Sequence, residues 1–305
     1  MLELHDICRS FGGRRVLHDV SLTARRGQLT GFVGGNGAGK TTTMRIILGV
    51  LAADSGTMRL DGQELAPASR TRFGYMPSER GLYPKMKLAE QIGYLARLHG
   101  FSRSEAAERA ESLLTRLGLG ERLNDPLEAL SLGNQQRVQI AAALVHDPDV
   151  LILDEPFSGL DPLAVDEVLS VLTEQAAKGA VVLFSSHQLD VVERLCDDLV
   201  IIGDGRVMAS GGRDELRRAH GTLRYELQTE TDAGWVREVP GVTVDEFAAD
   251  RVLFRSQPAV AQAVLSQAVG QGAVRRFAPV LPDLSEIFRE FTADSYNQPA
   301  EETLR

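Results

Sequence analysis

Gly34-Gly35-Asn36-Gly37-Ala38-Gly39-Lys40-Thr41-Thr42 is the stretch on which the reading of this chain turns. It follows the apolar run Leu29–Val33 and opens onto residues 40–48, whose spacing predicts a helix. The order is strand, glycine-rich loop, helix, and the loop carries the pattern G-x-x-x-x-G-K-[ST]. That composition suits a phosphate. Glycines let backbone N–H groups converge on an anion with no Cβ in the way, and the following helix adds the positive end of its dipole. Lys40 offers a point charge to β- and γ-phosphates, and Thr41 offers a hydroxyl to Mg²⁺. A chance match in a chain this long is on the order of one in a hundred at ordinary residue frequencies. The loop is therefore expected to bind the phosphates of a nucleotide, with Mg²⁺.

Further along, Val150-Leu151-Ile152-Leu153-Asp154-Glu155 is an aliphatic run that ends in two acids. Four consecutive aliphatics predict a strand buried on both faces, and the carboxyl edge of such a sheet is where α/β ligands bind. Asp154 suits the shell of a hard cation, and Glu155 suits polarising an attacking water. Alone, Asp-Glu-Pro would read as a solvated turn; the phosphate loop upstream favours the chemical reading.

Outward from these two motifs, residues 2–7 and 16–23 alternate as strands around Gly12-Gly13. Residues 88–145 form a block of helical periodicity, with helices expected from Leu88, over 104–117 and over 132–145, the last stopped at Asp147-Pro148. Strand signals return at 150–153, 180–185 and 199–202, separated by helices at 162–177 and 189–196, which predicts a mostly parallel sheet flanked by helices. After Gly221 the character changes. Strands over 223–229, 242–247 and 252–255 and helices over 259–269 and 284–291 predict a small α+β domain, 222–291, followed by a polar tail, 292–305, expected to be disordered.

The 305 residues have a net charge of −9, which argues against broad nucleic-acid binding, and only two cysteines, Cys8 and Cys196, far apart. A reducing, cytoplasmic setting is expected. No apolar run approaches the ~18 residues of a membrane span and the first residues do not form a signal peptide, so a membrane link is expected to come through a partner.

Three further motifs resemble the ABC ATPase family. Leu130-Ser131-Leu132-Gly133-Asn134-Gln135-Gln136-Arg137 is similar to its signature LSGGQ followed by QQR. Ser158-Gly159-Leu160-Asp161 is similar to its D-loop, and Ser185-Ser186-His187 to its switch histidine. Phe11 stands where the family places an aromatic that stacks on adenine. Order and spacing match from Leu2 to about Ala219. The resemblance implies a P-loop α/β core over 1–221 with an antiparallel β subdomain and a helical signature subdomain at about 86–147. It implies ATP hydrolysis with Lys40, Glu155 and His187 catalytic, and nucleotide bound by Phe11, residues 34–42 and, from a second subunit packed head-to-tail, Ser131 and Gly133. Mg²⁺ would meet Thr41, Asp154 and the Ser78 position. The partners implied are a second nucleotide-binding subunit and a transmembrane permease, which places the chain on the inner face of the membrane. Ser131 also reads as a helix N-cap, an ordinary structural role.

Departures are visible. Gly35 stands where proline is common, Leu132 replaces a glycine, Asn134 a glutamine, and Ser78 the glutamine of the Q-loop. Arg80-Gly81-Leu82-Tyr83-Pro84 and the C-terminal appendage look like the subgroup related to sodium and drug efflux ATPases, which biases the expectation to export. The alternative is a soluble member of the family acting in translation or DNA repair. One phosphate loop and the short span from Lys40 to Ser131 weigh against it.

Overall fold

The computed structural model describes residues 1–79, 81–220, 223–281 and 286–287, and its first two strands form a hairpin. β1 (Leu2–Phe11) and β2 (Arg14–Ala24) meet at Gly12 and Gly13, both at positive φ. β3 (Leu29–Val33) is buried throughout and runs into the loop before α1 (Lys40–Ile47). β4 (Ser55–Leu60) and β5 (Gln63–Glu64) extend the hairpin into an antiparallel sheet ordered β2-β1-β4-β5. β6 (Phe73–Met76) then joins a different sheet.

The helical block comprises α2 (Leu88–Leu98), α3 (Arg103–Arg116) and α4 (Leu132–Leu144). α3 starts at a capping box in which Glu105 N donates to Ser102 Oγ at 3.3 Å and Ser102 N to Glu105 Oε2 at 3.0 Å. Next in the chain come β7 (Val150–Leu153), α5 (Pro162–Ala177), β8 (Val181–Ser186), α6 (Leu189–Leu195), β9 (Asp198–Gly203), β10 (Arg206–Gly212) and α7 (Arg213–His220). Among the described residues the second sheet is ordered β10-β9-β3-β8-β7-β6, parallel except for β10 at its edge. Leu4, Leu17 and Val20 of the antiparallel sheet, Met44 and Ile46 of α1, and Phe32, Ile152 and Leu183 of the parallel sheet share one buried core.

The chain divides into two units, the first running from Met1 to Arg213 and the second beginning at Asp214, ahead of the 221/222 boundary read from the sequence. In the second unit β11 (Arg224–Thr229), β12 (Thr243–Ala248), β13 (Arg251–Arg255) and β14 (Val274–Val280) form an antiparallel sheet ordered β12-β13-β11-β14. α8 (Pro258–Gln271) gives Ala261, Val264 and Ala268 to a core with Leu227, Val252 and Phe254. Apart from Glu286 and Ile287, which are helical, the helix expected over 284–291 and the tail 292–305 lie outside the described residues, as do Arg80, Gly221 and Thr222.

The strand order positions the site. β3, β8, β7 and β6 are successive neighbours, with Val33 beside Ser186, Leu153 beside Phe184 and Met76 beside Leu153. The loops that leave their carboxyl ends therefore emerge at one edge of the sheet.

Candidate active site

The loop after β3 is tight because its glycines answer separate demands. Gly39 sits at φ 106°, where a Cβ would also lie 2.5 Å from Leu17 Cδ2. Gly34 has no room either, since a Cβ there would stand 2.4 Å from the Ile202 carbonyl oxygen. The loop so formed curls over the first turn of α1. Lys40 is buried, and its Nζ donates to the carbonyls of Gly34 at 2.6 Å and Gly35 at 3.1 Å. Burial pushes the Lys40 ammonium below its ordinary value, and the Glu155 and Asp154 carboxylates oppose the shift.

Asp154 follows β7 and is buried. Its Oδ2 accepts from Thr41 Oγ1 at 2.8 Å and its Oδ1 from Ser185 Oγ at 2.5 Å. Glu155 stands at φ 56°, a left-handed conformation uncommon for a residue with a side chain. Its N–H donates to Ser185 Oγ at 2.9 Å, and its Oε2 lies 2.9 Å from His187 Nδ1. A carboxylate held by an imidazole is an arrangement in which the carboxylate can take a proton from water while the ring fixes its orientation.

These groups border a cavity of about 480 Å³, lined by Phe11, residues 35–42, Ser78, Asp154 and Glu155. Phe11 is exposed at its rim with the Arg9 guanidinium 4.8 Å above the ring. Gly34 is not among the lining residues but its carbonyl holds Lys40 Nζ, and His187 joins through Glu155. Ser131 and Gly133 do not line this cavity. Ser131 caps α4, its Oγ accepting from Asn134 N at 3.4 Å. Gly133 lies against the D-loop stretch of the same chain, where a Cβ would come within 3.1 Å of the Gly159 carbonyl.

The sequence reading assigned no site role to three buried residues. Ser185, read only as a member of the histidine motif, joins both acids. Gln136 on α4 donates from Nε2 to the Glu155 carbonyl at 2.9 Å, and Gln139, one turn on, donates to the Glu79 carbonyl at 3.0 Å, beside Ser78. The two glutamines left one signal, a pair of amides close to the apolar residues of the helix expected over 132–145, since such groups need partners where they are buried.

The chain is similar to proteins of one family. Residues 17–158 match the ABC transporter family, and residues 211–292 match the family described as ATP-binding protein DrrA1-3-like, C-terminal domain. The chain is 35% identical to the uncharacterized ABC transporter ATP-binding protein YhaQ of Bacillus subtilis (strain 168), over 95% of this chain and 98% of that protein. It is 34% identical to the linearmycin resistance ATP-binding protein LnrL of the same organism, over 71% of this chain and 70% of that one. A solved ATP binding subunit of an ABC transporter is 38% identical, with a TM-score of 0.66, covering 72% of this chain and 92% of its own.

Proposed function

This chain belongs to the ATP-binding subunits of ABC transporters, and from that premise we propose that it drives export through a separate transmembrane subunit, as one half of a head-to-tail dimer with composite nucleotide sites. As a member of that family it binds ATP and is an ATPase. The observation that carries the site assignment is the Glu155–His187 contact of 2.9 Å beside the phosphate loop.

In this reading the N–H groups of residues 35–42 bind the phosphates, Lys40 exchanges its carbonyl partners for phosphate oxygens, and Phe11 stacks on the base. Glu155 orients the attacking water and takes its proton, and His187 holds the Glu155 carboxylate and supplies a donor toward the terminal phosphate. The hydroxyl of Thr41 and the carboxylate of Asp154, 2.8 Å apart, are hard oxygen donors that fit Mg²⁺. Bound there, the cation would neutralise charge on the phosphate oxygens as it develops. Ser78, on the cavity wall, would reach it through water.

Ser131 and the first N–H groups of α4 form a helix start with an anion preference and stand apart from the chain's own cavity, which supports their use by a second subunit. Among the described residues no helix is long and apolar enough to cross a membrane, so the membrane step is assigned to a partner on whose inner face this chain would sit. The resistance role in the name of LnrL supports the bias to export. The C-terminal unit would serve the dimer as an accessory domain.

The test pairs Glu155→Gln with Ser131→Arg in ATPase and nucleotide-binding assays. Glu155→Gln is expected to lose about 10²–10⁴ in turnover while still binding ATP. Ser131→Arg is expected to block hydrolysis with monomer binding nearly unchanged. Wild-type turnover in the first would remove Glu155 from its role; full activity in the second would end the shared-site reading.

A further inference from the structure

We propose that Ser185 is a positioning residue of the hydrolytic site: its one buried hydroxyl fixes both the Asp154 carboxylate and the backbone turn that aims Glu155. The inference rests on the hydrolytic role proposed for Glu155 and extends it to a residue that never meets substrate.

The side chain of Ser185, near the carboxyl end of β8, is fully buried. Its hydroxyl donates to Asp154 Oδ1 and accepts the N–H of Glu155, so the donor and an acceptor function are both committed. Thr41 holds the other oxygen of Asp154, and Asp154 N donates to the Met76 carbonyl at 2.8 Å. The carboxylate is thus held from two sides.

Glu155 is the more telling partner. A residue with a side chain keeps a left-handed conformation only where its surroundings impose it. Here the N–H of Glu155 is held by Ser185, and its carbonyl accepts from Gln136 Nε2 at 2.9 Å and Ser158 N at 3.2 Å. From the backbone so fixed, the carboxylate reaches His187, which lies just beyond Ser185 on the same chain segment. One strand end therefore sets the backbone of the acid and presents its imidazole partner. Alanine could neither donate nor accept, and burial denies water an easy replacement. The bland alternative is a satisfied core serine, whose loss would cost stability and nothing specific to hydrolysis.

The experiment compares Ser185→Ala with the near-isosteric pair Ser185→Thr and Ser185→Val in the full chain, alone and in the Glu155→Gln background. In Ser185→Ala, kcat is expected to fall about 10- to 100-fold, the scale of a misplaced catalytic group. The KM for ATP, and the affinity for ATP measured by fluorescence titration without Mg²⁺, should move less than about threefold, as a change confined to the acids implies. In the Glu155→Gln background the same substitution should cost clearly less than it does in the wild type, because the aim of Glu155 no longer matters and only the hold on Asp154 is left to lose. A crystal structure of nucleotide-free Ser185→Ala should show Glu155 leaving positive φ and its carboxylate leaving His187. If Ser185→Ala fails to fold, the pair decides: threonine keeps the hydroxyl and should retain hydrolysis, and valine should not. Wild-type kcat in Ser185→Ala, an equal loss in both backgrounds, or threonine and valine behaving alike would overturn the proposal. Full hydrolysis by Glu155→Gln itself would instead remove the role of Glu155 on which it stands.

Discussion

The carboxyl edge of the parallel sheet and the charged face of the C-terminal sheet both gather acids and bases, and they use them in opposite ways. In the C-terminal unit Glu226 is buried and ion-paired to Arg251 and, at 2.9 Å, to Arg276, residues diagonal to it on the neighbouring strands β13 and β14. Asp245 pairs with Arg255 at 2.8 Å and Arg224 at 3.4 Å, and Arg224 also pairs with Glu286 at 2.8 Å. Charge there is answered by charge, and it holds strands together. At the edge of the parallel sheet Lys40 donates to neutral carbonyls, Asp154 accepts from two hydroxyls, and Glu155 contacts an imidazole. Carbonyls and hydroxyls fix Lys40 and Asp154 without an opposite charge in hydrogen-bonding contact, so their fields stay open to a charged ligand.

The sharpest way to break this contrast is at Lys40. Lys40→Met removes the cation but keeps most of its apolar stem, and ATP affinity is expected to drop about 100-fold or more, as a charge-assisted phosphate contact in a partly dry site requires. Isothermal titration with ATP would read it directly; unchanged affinity would put Lys40 with the structural charges.

Glu226→Gln tests the other side. It should lower stability by about 1–2 kcal/mol, discounted because Arg251 and Arg276 are half exposed, and leave ATP affinity and turnover unaltered. Calorimetry beside an ATPase assay separates the two outcomes, and a fall in turnover at full stability would mean the second sheet acts on the site.

His146 sharpens the contrast with a titratable group of the first unit that has no proposed chemical role. It stacks on His99 with ring centroids 3.8 Å apart, and its Nε2 lies 3.1 Å from the Phe73 carbonyl. Burial, and then the neighbouring His99, push it down to about 4. The folded chain therefore refuses a proton that the unfolded chain accepts near the ordinary histidine value. Stability should fall as pH drops from about 6.5 toward 4, by at most about 1.4 kcal/mol per pH unit. Denaturant unfolding at pH 7 and pH 5 would measure it, and His146→Gln should flatten the slope; an unchanged slope would assign the loss to other groups.

The smallest effect is expected at Ser78. It lines the cavity but is exposed, and Thr41 and Asp154 supply the oxygens proposed to hold Mg²⁺. Ser78→Ala should lower basal ATPase less than about threefold, a water-bridged contact being weak to lose. A loss as large as that of Glu155→Gln would make Ser78 a direct ligand.

Several elements were legible because their signals are local. The glycine loop, the aliphatic strand Val150–Leu153 and the helix Pro162–Ala177 carry their own periodicity, turn or cap chemistry. Others left no such mark. β4 begins Ser55-Gly56 and is mostly exposed, β6 has four residues with a glycine among them, and β14 carries Arg275, Arg276 and Pro279, a composition tolerated at the sheet edge it occupies. These strands exist because neighbours pair with them, which no propensity records.

Which chemistry this chain holds is written in contiguous residues, because a phosphate cradle is made of consecutive backbone and the pair of acids comes directly after its buried strand. Who holds those acids is a property of the tertiary structure alone. β3 and β7 are not neighbours; β8, later in the chain than both, lies between them. That order brings Thr41, Ser185 and His187, each distant in sequence, to within hydrogen-bonding reach of Asp154 or Glu155. Strand order results from burying both faces of a twisted sheet at once, a condition on the whole unit rather than on any stretch of it.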